Sequence, residues 1–305
     1  MKQCTSHLMM VRPANFGANP LTAASNAFQQ ELESSQADEV KNKAIQEFDA
    51  FVSLLRSKGV HVTVFDDTAE PLTPDAVFPN NWISFHQNGK IVLYPMFAPN
   101  RRWERRMDVP HHFAREASDI WNWAEAMEPQ SLILEGTGSL ILDRVNKIAY
   151  ACTSNRTSPK AFDLWAKEMG YKGLLFQAVD EKGQEIYHTN VMMFLGKDVA
   201  VICLESIANP ALRQAVQDKL KSTGHKIIGI TFDQMNAFAG NMLQVDNVSD
   251  ESMIIMSQRA HQSLTPLQLD NLAQHAEILT IPLDVIETYG GGSVRCMMAE
   301  VFLPE

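Results

Sequence analysis

Apolar residues recur along this chain in two patterns, one of period two and one of period three to four, and their alternation itself repeats. Residues 7–12 read as a strand closed by Pro13. Residues 15–36 are polar and carry little periodicity, so a long loop with at most one helical turn is expected; a loop of that length in a compact domain tends to be functional. Val40, Ala44, Ile45, Phe48, Phe51, Val52 and Leu55 then share one helical face. Lys58-Gly59 ends that helix, with glycine suited to the left-handed position past a C-terminus. Residues 61–65 follow as a strand. Past Pro71, Pro74 and Pro79 comes an alternating strand over 82–85, a hairpin turn at Asn88-Gly89, and a return over 91–94.

The same phrase recurs. Helices are predicted over 112–127, 159–169, 210–222 and 266–275. They lead to strands over 131–134, 174–179, 226–232 and 278–283. Each strand is followed by a polar residue and a further strand. Those polar positions are Asn81, Glu135, His188, Asn241 and Cys296, separated by 54, 53, 53 and 55 residues. A constant period of this length marks a repeat architecture. The last strand, 297–303, has no returning partner, and 7–12 is free to supply one. That pairing closes a ring and removes exposed sheet edges. The expected fold is α/β: a fivefold pseudosymmetric β/α propeller of strand-strand-helix-strand units, with residues 1–305 as one catalytic domain. In such a ring the five polar residues meet near the axis.

Composition narrows the function. The chain has 305 residues, 45% hydrophobic and 20% charged, which is ordinary for a globular protein. A net charge of −10 argues against nucleic acid as a partner. The one basic cluster, Arg101, Arg102, Arg105 and Arg106, is interrupted by Trp103 and Glu104; its arginines suit a carboxylate better than a phosphate backbone. No run of 18 apolar residues exists to cross a membrane, and residues 1–7 lack a signal-peptide core. A cytoplasmic location is expected. Cys4, Cys152, Cys203 and Cys296 are widely spaced, so reduced thiols are expected and a zinc site is not.

Cys296 follows Gly290-Gly291-Gly292. By itself it fits either a nucleophile or a small buried hydrophobe. His188 by itself most often means packing, and Glu135-Gly136-Thr137-Gly138 most often means a turn. Their matched places in the repeat change this. A cysteine, a histidine and a carboxylate meeting at one axis form a nucleophile, a base and the group that orients the base.

These residues also carry a resemblance. The stretch from Gly290 to Met297 looks like the C-terminal signature of the guanidine-modifying (pentein) superfamily of arginine deiminases, dimethylarginine hydrolases and amidinotransferases. His188-Thr189-Asn190, Glu135-Gly136 and the segment Asp75-Ala76-Val77-Phe78-Pro79-Asn80-Asn81 match its other motifs. Residues 153–157 and 101–104 are similar to its arginine segments. The resemblance spans residues 7–303. It implies the fivefold propeller, Cys296 as nucleophile, His188 as acid and base, and Glu135 as its partner. It implies no metal or cofactor, because a covalent thioester route needs none.

The departures point to a substrate. Asn81 stands where the family typically has aspartate, and Asn190 where it often has one. A buried carboxylate needs a cation, whereas an amide both donates and accepts. Two such changes suit a neutral ureido group, and the overall resemblance is nearest the citrulline-utilising hydrolases. The expectation is a cysteine-dependent hydrolase that converts citrulline to ornithine, CO2 and ammonia through a carbamoyl-thioester. Substrate contacts are expected from Asn80, Asn81, Asn190 and Asp75. Arg102 and Arg156 are expected to clamp the carboxylate, with Arg101 in reserve and Arg295 turned away. Loop 16–26 is expected to close over the site. The partner is a small amino-acid substrate, and a homo-oligomer is compatible with the sequence. Two competing readings stay open. Asp75 keeps the charge for a guanidino substrate, as in a deiminase, dimethylarginine hydrolase or amidinotransferase. A catalytically silent propeller, like the ribosome-associated translation factors of this fold, is a binding scaffold.

Overall fold

The computed structural model of the protein describes residues 1–23 and 25–304. Five three-stranded sheets stand around a common centre, one per repeat. The first contains Ile83–Phe85, Lys90–Leu93 and Asp119–Asn122; the second Ile141–Asp143, Ile148–Cys152 and Lys172–Phe176. The third contains Met193–Leu195, Val199–Ile202 and Lys226–Gly229; the fourth Leu243–Asp246, Ser252–Ser257 and Glu277–Ile281. In each, a hairpin pairs the first two strands antiparallel, and the third runs parallel to the second. Parallel neighbours require a crossover, and a helix on the rim supplies it in most repeats. The fifth sheet joins the two ends of the chain: Ala299–Glu300 pairs antiparallel with His7–Arg12, which pairs parallel with His61–Asp66. The ring closes as its period predicts.

The rim helices begin where their sequences say they should. Asn209 caps Pro210–Ser222 by accepting the N–H groups of Ala211 and Leu212. Thr265 and Gln268 form a reciprocal capping box at Pro266–Ala273. Helix Ala37–Ser57 buries Val40, Ala44, Phe48, Phe51, Val52 and Leu55 along one stripe. The central strands are packed on both faces: Val199, Ala200, Val201 and Ile202 are all fully buried.

The first repeat departs from expectation. Residues 112–127 do not form one helix, and 131–134 is not the third strand. The chain runs through a 3-10 helix Pro99–Glu104, a short helix Asp108–His112, the strand Asp119–Asn122 and a short helix Trp123–Met127. Trp121 on that strand takes the Lys90 ammonium over its ring at 4.8 Å and lies 4.9 Å from the Trp123 ring, tilted to it by 49°. Ser131 sits in the left-handed region (φ 55°), which breaks an extended run at its first residue. Elsewhere the shifts are small. The third strands end earlier than predicted, and Cys296 lies in a turn over 294–297, ahead of a strand only two residues long. Residues 15–36 carry two short helical turns, Pro20–Ala23 and Ser34–Gln36. The four cysteines are free and buried. Among the described residues, no helix is long and apolar enough to cross a membrane, and no three His, Cys, Asp or Glu side chains group as metal ligands.

Candidate active site

A tight turn precedes the first strand of each repeat and delivers one polar side chain towards the axis. Asn81 ends the turn Pro79–Asn81; Glu135 and His188 immediately precede Gly136–Ser139 and Thr189–Met192. These turns crowd one another, and glycine makes that possible. A Cβ on Gly138 would lie 2.3 Å from Asn81 Nδ2 and 3.0 Å from His188 Nδ1. Gly291 has φ +64°, and a Cβ there would lie 2.5 Å from Asn26 Nδ2. The glycine run therefore admits the covering loop as well as the turn.

His188 Nε2 lies 2.7 Å from Glu135 Oε2. The other carboxylate oxygen accepts the Phe97 N–H at 2.9 Å. Burial alone would raise the Glu135 pKa, but the bond to His188 and the charges of Arg156 and Arg101 hold it well below the usual range. An ionised carboxylate only accepts, so His188 Nε2 carries the hydrogen. Burial, with Arg156 and Arg101, keeps the imidazole neutral by lowering its pKa more than Glu135 raises it. A neutral imidazole protonated at Nε2 has its lone pair on Nδ1, which makes it a base.

Cys296 is 3% exposed. Two amides touch its sulfur: Asn190 Nδ2 and Asn241 Nδ2, each at 3.4 Å. The Asn241 amide cannot be turned round. Its Oδ1 accepts the Arg295 N–H at 3.0 Å, and its Nδ2 also donates to the Asn190 carbonyl at 2.9 Å. Asn190 Oδ1 is buried without a partner. Asn81 Oδ1 accepts from Arg101 Nη1 at 2.9 Å, which fixes that amide too and leaves Nδ2 buried and unpartnered.

Charged groups line the same pocket. Arg101 grips Glu104 with two bonds of 2.8 Å and lies 3.6 Å from Asp75. Asp75 Oδ2 accepts from Asn19 Nδ2 at 2.7 Å, and Oδ1 is buried without a partner. Burial raises the Asp75 pKa, against the pull of Arg101. Arg156 lies over the Tyr187 ring at 4.8 Å, donates to Ser25 Oγ at 2.9 Å and has an unpartnered Nε.

The structure gathers Cys296, His188, Asn81, Asp75, Arg101 and Arg156 around one pocket, with Glu135 behind His188 and Asn190 against the sulfur. It does not bring Arg102 there: Arg102 donates to the Met96 carbonyl at 3.1 Å and points to Glu128. Arg101 takes the inner place because a 3-10 helix puts residues three apart on one side, and Arg101 faces Glu104. That i, i+3 pair was the available signal for choosing Arg101. Asn80 is buried but does not line the pocket. Arg295 turns away to Glu300, at 2.9 Å. Asn241 was visible in the repeat spacing, yet its contact with the sulfur was not. Thr22 and Asn26 of the covering loop line the pocket, while Asn19 and Ser25 bond Asp75 and Arg156; Asn26 Nδ2 reaches the Gly291 carbonyl at 3.3 Å. The free volume left is about 10 Å³, room for one water.

A sequence model of the eukaryotic N,N-dimethylarginine dimethylhydrolase family matches residues 12–303. No curated protein matches the chain by sequence. The fold resembles ArgZ, an arginine dihydrolase of the ornithine-ammonia cycle in cyanobacteria, with a TM-score of 0.74 at 17% identity over 98% of this chain. The chain spans only 41% of full-length ArgZ. Against the product-bound N-terminal domain of ArgZ alone, the TM-score is 0.75 and the coverage 98% of this chain and 99% of that one, again at 17% identity. A dimethylarginine hydrolase from Pseudomonas aeruginosa, a cysteine-to-serine mutant complexed with citrulline, matches with a TM-score of 0.65 at 14% identity, covering 98% of this chain and 100% of that one. Identities this low speak for the fold alone.

Proposed function

The chain belongs to the N,N-dimethylarginine dimethylhydrolase family, within the pentein guanidine-modifying superfamily, and from that premise we propose that it hydrolyses the ureido group of citrulline through Cys296. One observation carries this reading. Two buried amides of the site each keep one unpaired group: a donor on Asn81 Nδ2 and an acceptor on Asn190 Oδ1. A ureido group offers one C=O and several N–H groups, so it pairs both. A guanidinium offers donors only and leaves the Asn81 donor unpaired, which costs about 1–3 kcal/mol when buried.

In the proposed reaction, His188 Nδ1 takes the Cys296 thiol proton as the sulfur attacks the ureido carbon. The developing oxyanion faces the Asn81 amide. His188 then passes the proton to the substrate δ-nitrogen, the carbon–nitrogen bond breaks, ornithine leaves and a carbamoyl-thioester stays on Cys296. In the second half His188 takes a proton from water, hydroxide attacks the thioester, and the proton returns to the sulfur as carbamic acid leaves and ionises to carbamate in solution. Carbamate decomposes to CO2 and ammonia. Glu135 holds the imidazole throughout. Arg156 binds the substrate carboxylate, since Arg101 is already spent on Glu104, Asp75 and Asn81. The covering loop opens to admit substrate and closes to shield the thioester.

The unpartnered Asp75 Oδ1 favours a second reading, in which arginine is also accepted and its guanidinium meets that oxygen. Intact mass of the acid-quenched enzyme separates the two. Citrulline leaves a carbamoyl group on Cys296, absent in Cys296→Ser. An amidino adduct formed from arginine, with none from citrulline, overturns the proposal. A Cys296→Ser variant indistinguishable from wild type in every cellular assay supports the silent-scaffold reading.

A further inference from the structure

A second polar cavity is lined by Arg295, the residue before Cys296 in the same turn. It holds about 30 Å³, and its lining includes Arg144, Arg295, Glu300, Gln244 and Thr137. Arg144 Nη2 and Arg295 Nη2 converge on one oxygen, Glu300 Oε2, at 3.3 and 2.9 Å. All three side chains are less than a tenth exposed. Two guanidinium groups therefore share one carboxylate in a nearly dry place. The neighbouring charges do not repair the balance. Lys197 and Asp246 pair with each other at 2.7 Å, and Asp143 is turned into its own loop, bound to Asn146. The face of the Phe302 ring, 4.1 Å from the Arg144 guanidinium, supplies a quadrupole but no charge. A buried charge without a counter-charge is costly.

A third donor faces the same space. Gln244 is 2% exposed, and its Oε1 accepts the Lys197 N–H at 2.8 Å. That bond fixes the amide, so Nε2 is the free end, and it is buried without a partner. An unpartnered amide donor and two guanidinium groups that share one carboxylate thus line one small cavity. Gln3 covers it: its Nε2 donates to the Leu142 carbonyl at 2.9 Å, and its Oε1 accepts the Arg144 N–H at 2.8 Å.

We propose that this cavity binds one small inorganic monoanion between Arg144, Arg295 and Gln244. The volume holds about two waters, which suits chloride or bicarbonate and excludes an amino-acid carboxylate with its side chain. The two ions share the chemistry but come from different sources. Chloride comes from the medium; bicarbonate forms by hydration of the CO2 that the proposed reaction releases. The anion steadies the nucleophile's turn, because Arg295 donates its backbone N–H to Asn241, and Asn241 touches the Cys296 sulfur. Only the bicarbonate source rests on the citrulline reading; the site does not.

The test uses the full-length protein in sodium gluconate, whose anion is too bulky to enter. Chloride, bromide or bicarbonate replaces gluconate at fixed ionic strength and pH, and the melting temperature is recorded. The site predicts a saturable rise of a few degrees, absent in Gln244→Leu and in Arg144→Gln. A rise with chloride and bromide assigns the medium as source; a rise with bicarbonate at lower concentration assigns the product. Crystals grown in bromide should show an anomalous peak between Arg144, Arg295 and Gln244. A melting temperature that follows ionic strength alone in wild type, or a rise retained in Gln244→Leu, overturns the proposal. The wild-type titration and the bromide peak decide it even if Arg144→Gln does not fold.

Discussion

The pocket is built from two different chemistries. Around Cys296 the side chains in contact with the sulfur are neutral amides, Asn190 and Asn241. The same pocket is also lined by Arg101, Arg156 and Asp75, with Glu104 paired to Arg101 and Glu135 3.9 Å from Arg156. Amides bind either polarity of a neutral group without the desolvation cost of a bare charge. Ion pairs suit a ligand that brings charges of its own. The contrast matches an amino acid that is zwitterionic at one end and neutral at the other. On the proposed reading the contrast separates two jobs: the amides set which carbon reacts, and the charged groups set which molecule stays.

That division can be broken from either side. Converting the neutral half to a charged one, Asn81→Asp with Asn190→Asp, should lower kcat/KM for citrulline by about 100-fold or more, since two buried polar contacts of about 1–3 kcal/mol are lost or reversed. Unchanged steady-state kinetics would show that the amides do not read charge. Breaking the charged half instead, Arg156→Gln should raise KM by about 10- to 100-fold with a smaller change in kcat, as expected for a charge-assisted bond made equally in ground and transition states. A fall in kcat at constant KM would move Arg156 from binding to chemistry. Asn241→Leu removes one of the two amides on the sulfur and should cost about 10-fold in kcat with KM little changed; parallel melting curves check that the ring survives. The smallest effect is on pH dependence. Burial lowers the His188 pKa, to about 4, and Glu135 works against it. Protonation on the acid side removes the base, so the acid limb of kcat/KM should lie below the ordinary histidine value of about 6.5. In Glu135→Gln the opposing charge is gone, and the limb should move further down even as the rate falls. A limb that moves up would mean that Glu135 does not raise the His188 pKa.

The repeat was the most legible feature of the chain. Five polar residues at intervals of 53 to 55 located the turns that face the axis, because a ring of identical units has to return each turn to the axis. The end-to-end closure was legible for a related reason: one strand lacked a partner at each terminus. Helices such as Pro159–Met169 and Pro210–Ser222 stand at their predicted bounds, where proline at the first position and an apolar stripe agree. The first repeat was misread where local signals conflict. Trp121 and Trp123 are two apart, a spacing that shares one face of a strand but not of a helix, and Trp121 packs against Lys90 on the strand. In the site, residue types and their order along the chain were legible, but neighbouring arginines were not distinguished. Arg101 and Arg102 have the same chemistry and differ only in which way a 3-10 turn points them. Asn241 shows the same limit from the other direction. Its place was given by the period, but its contact with Cys296 depends on the Arg295 backbone N–H, which no side-chain pattern reports.

The most direct test of the neutral half of the pocket is to incubate the purified protein separately with citrulline, arginine and dimethylarginine and to identify the products. The account predicts ornithine, CO2 and ammonia from citrulline, with arginine and dimethylarginine turned over far more slowly. Citrulline accumulating from arginine or dimethylarginine, with citrulline itself left intact, would contradict it.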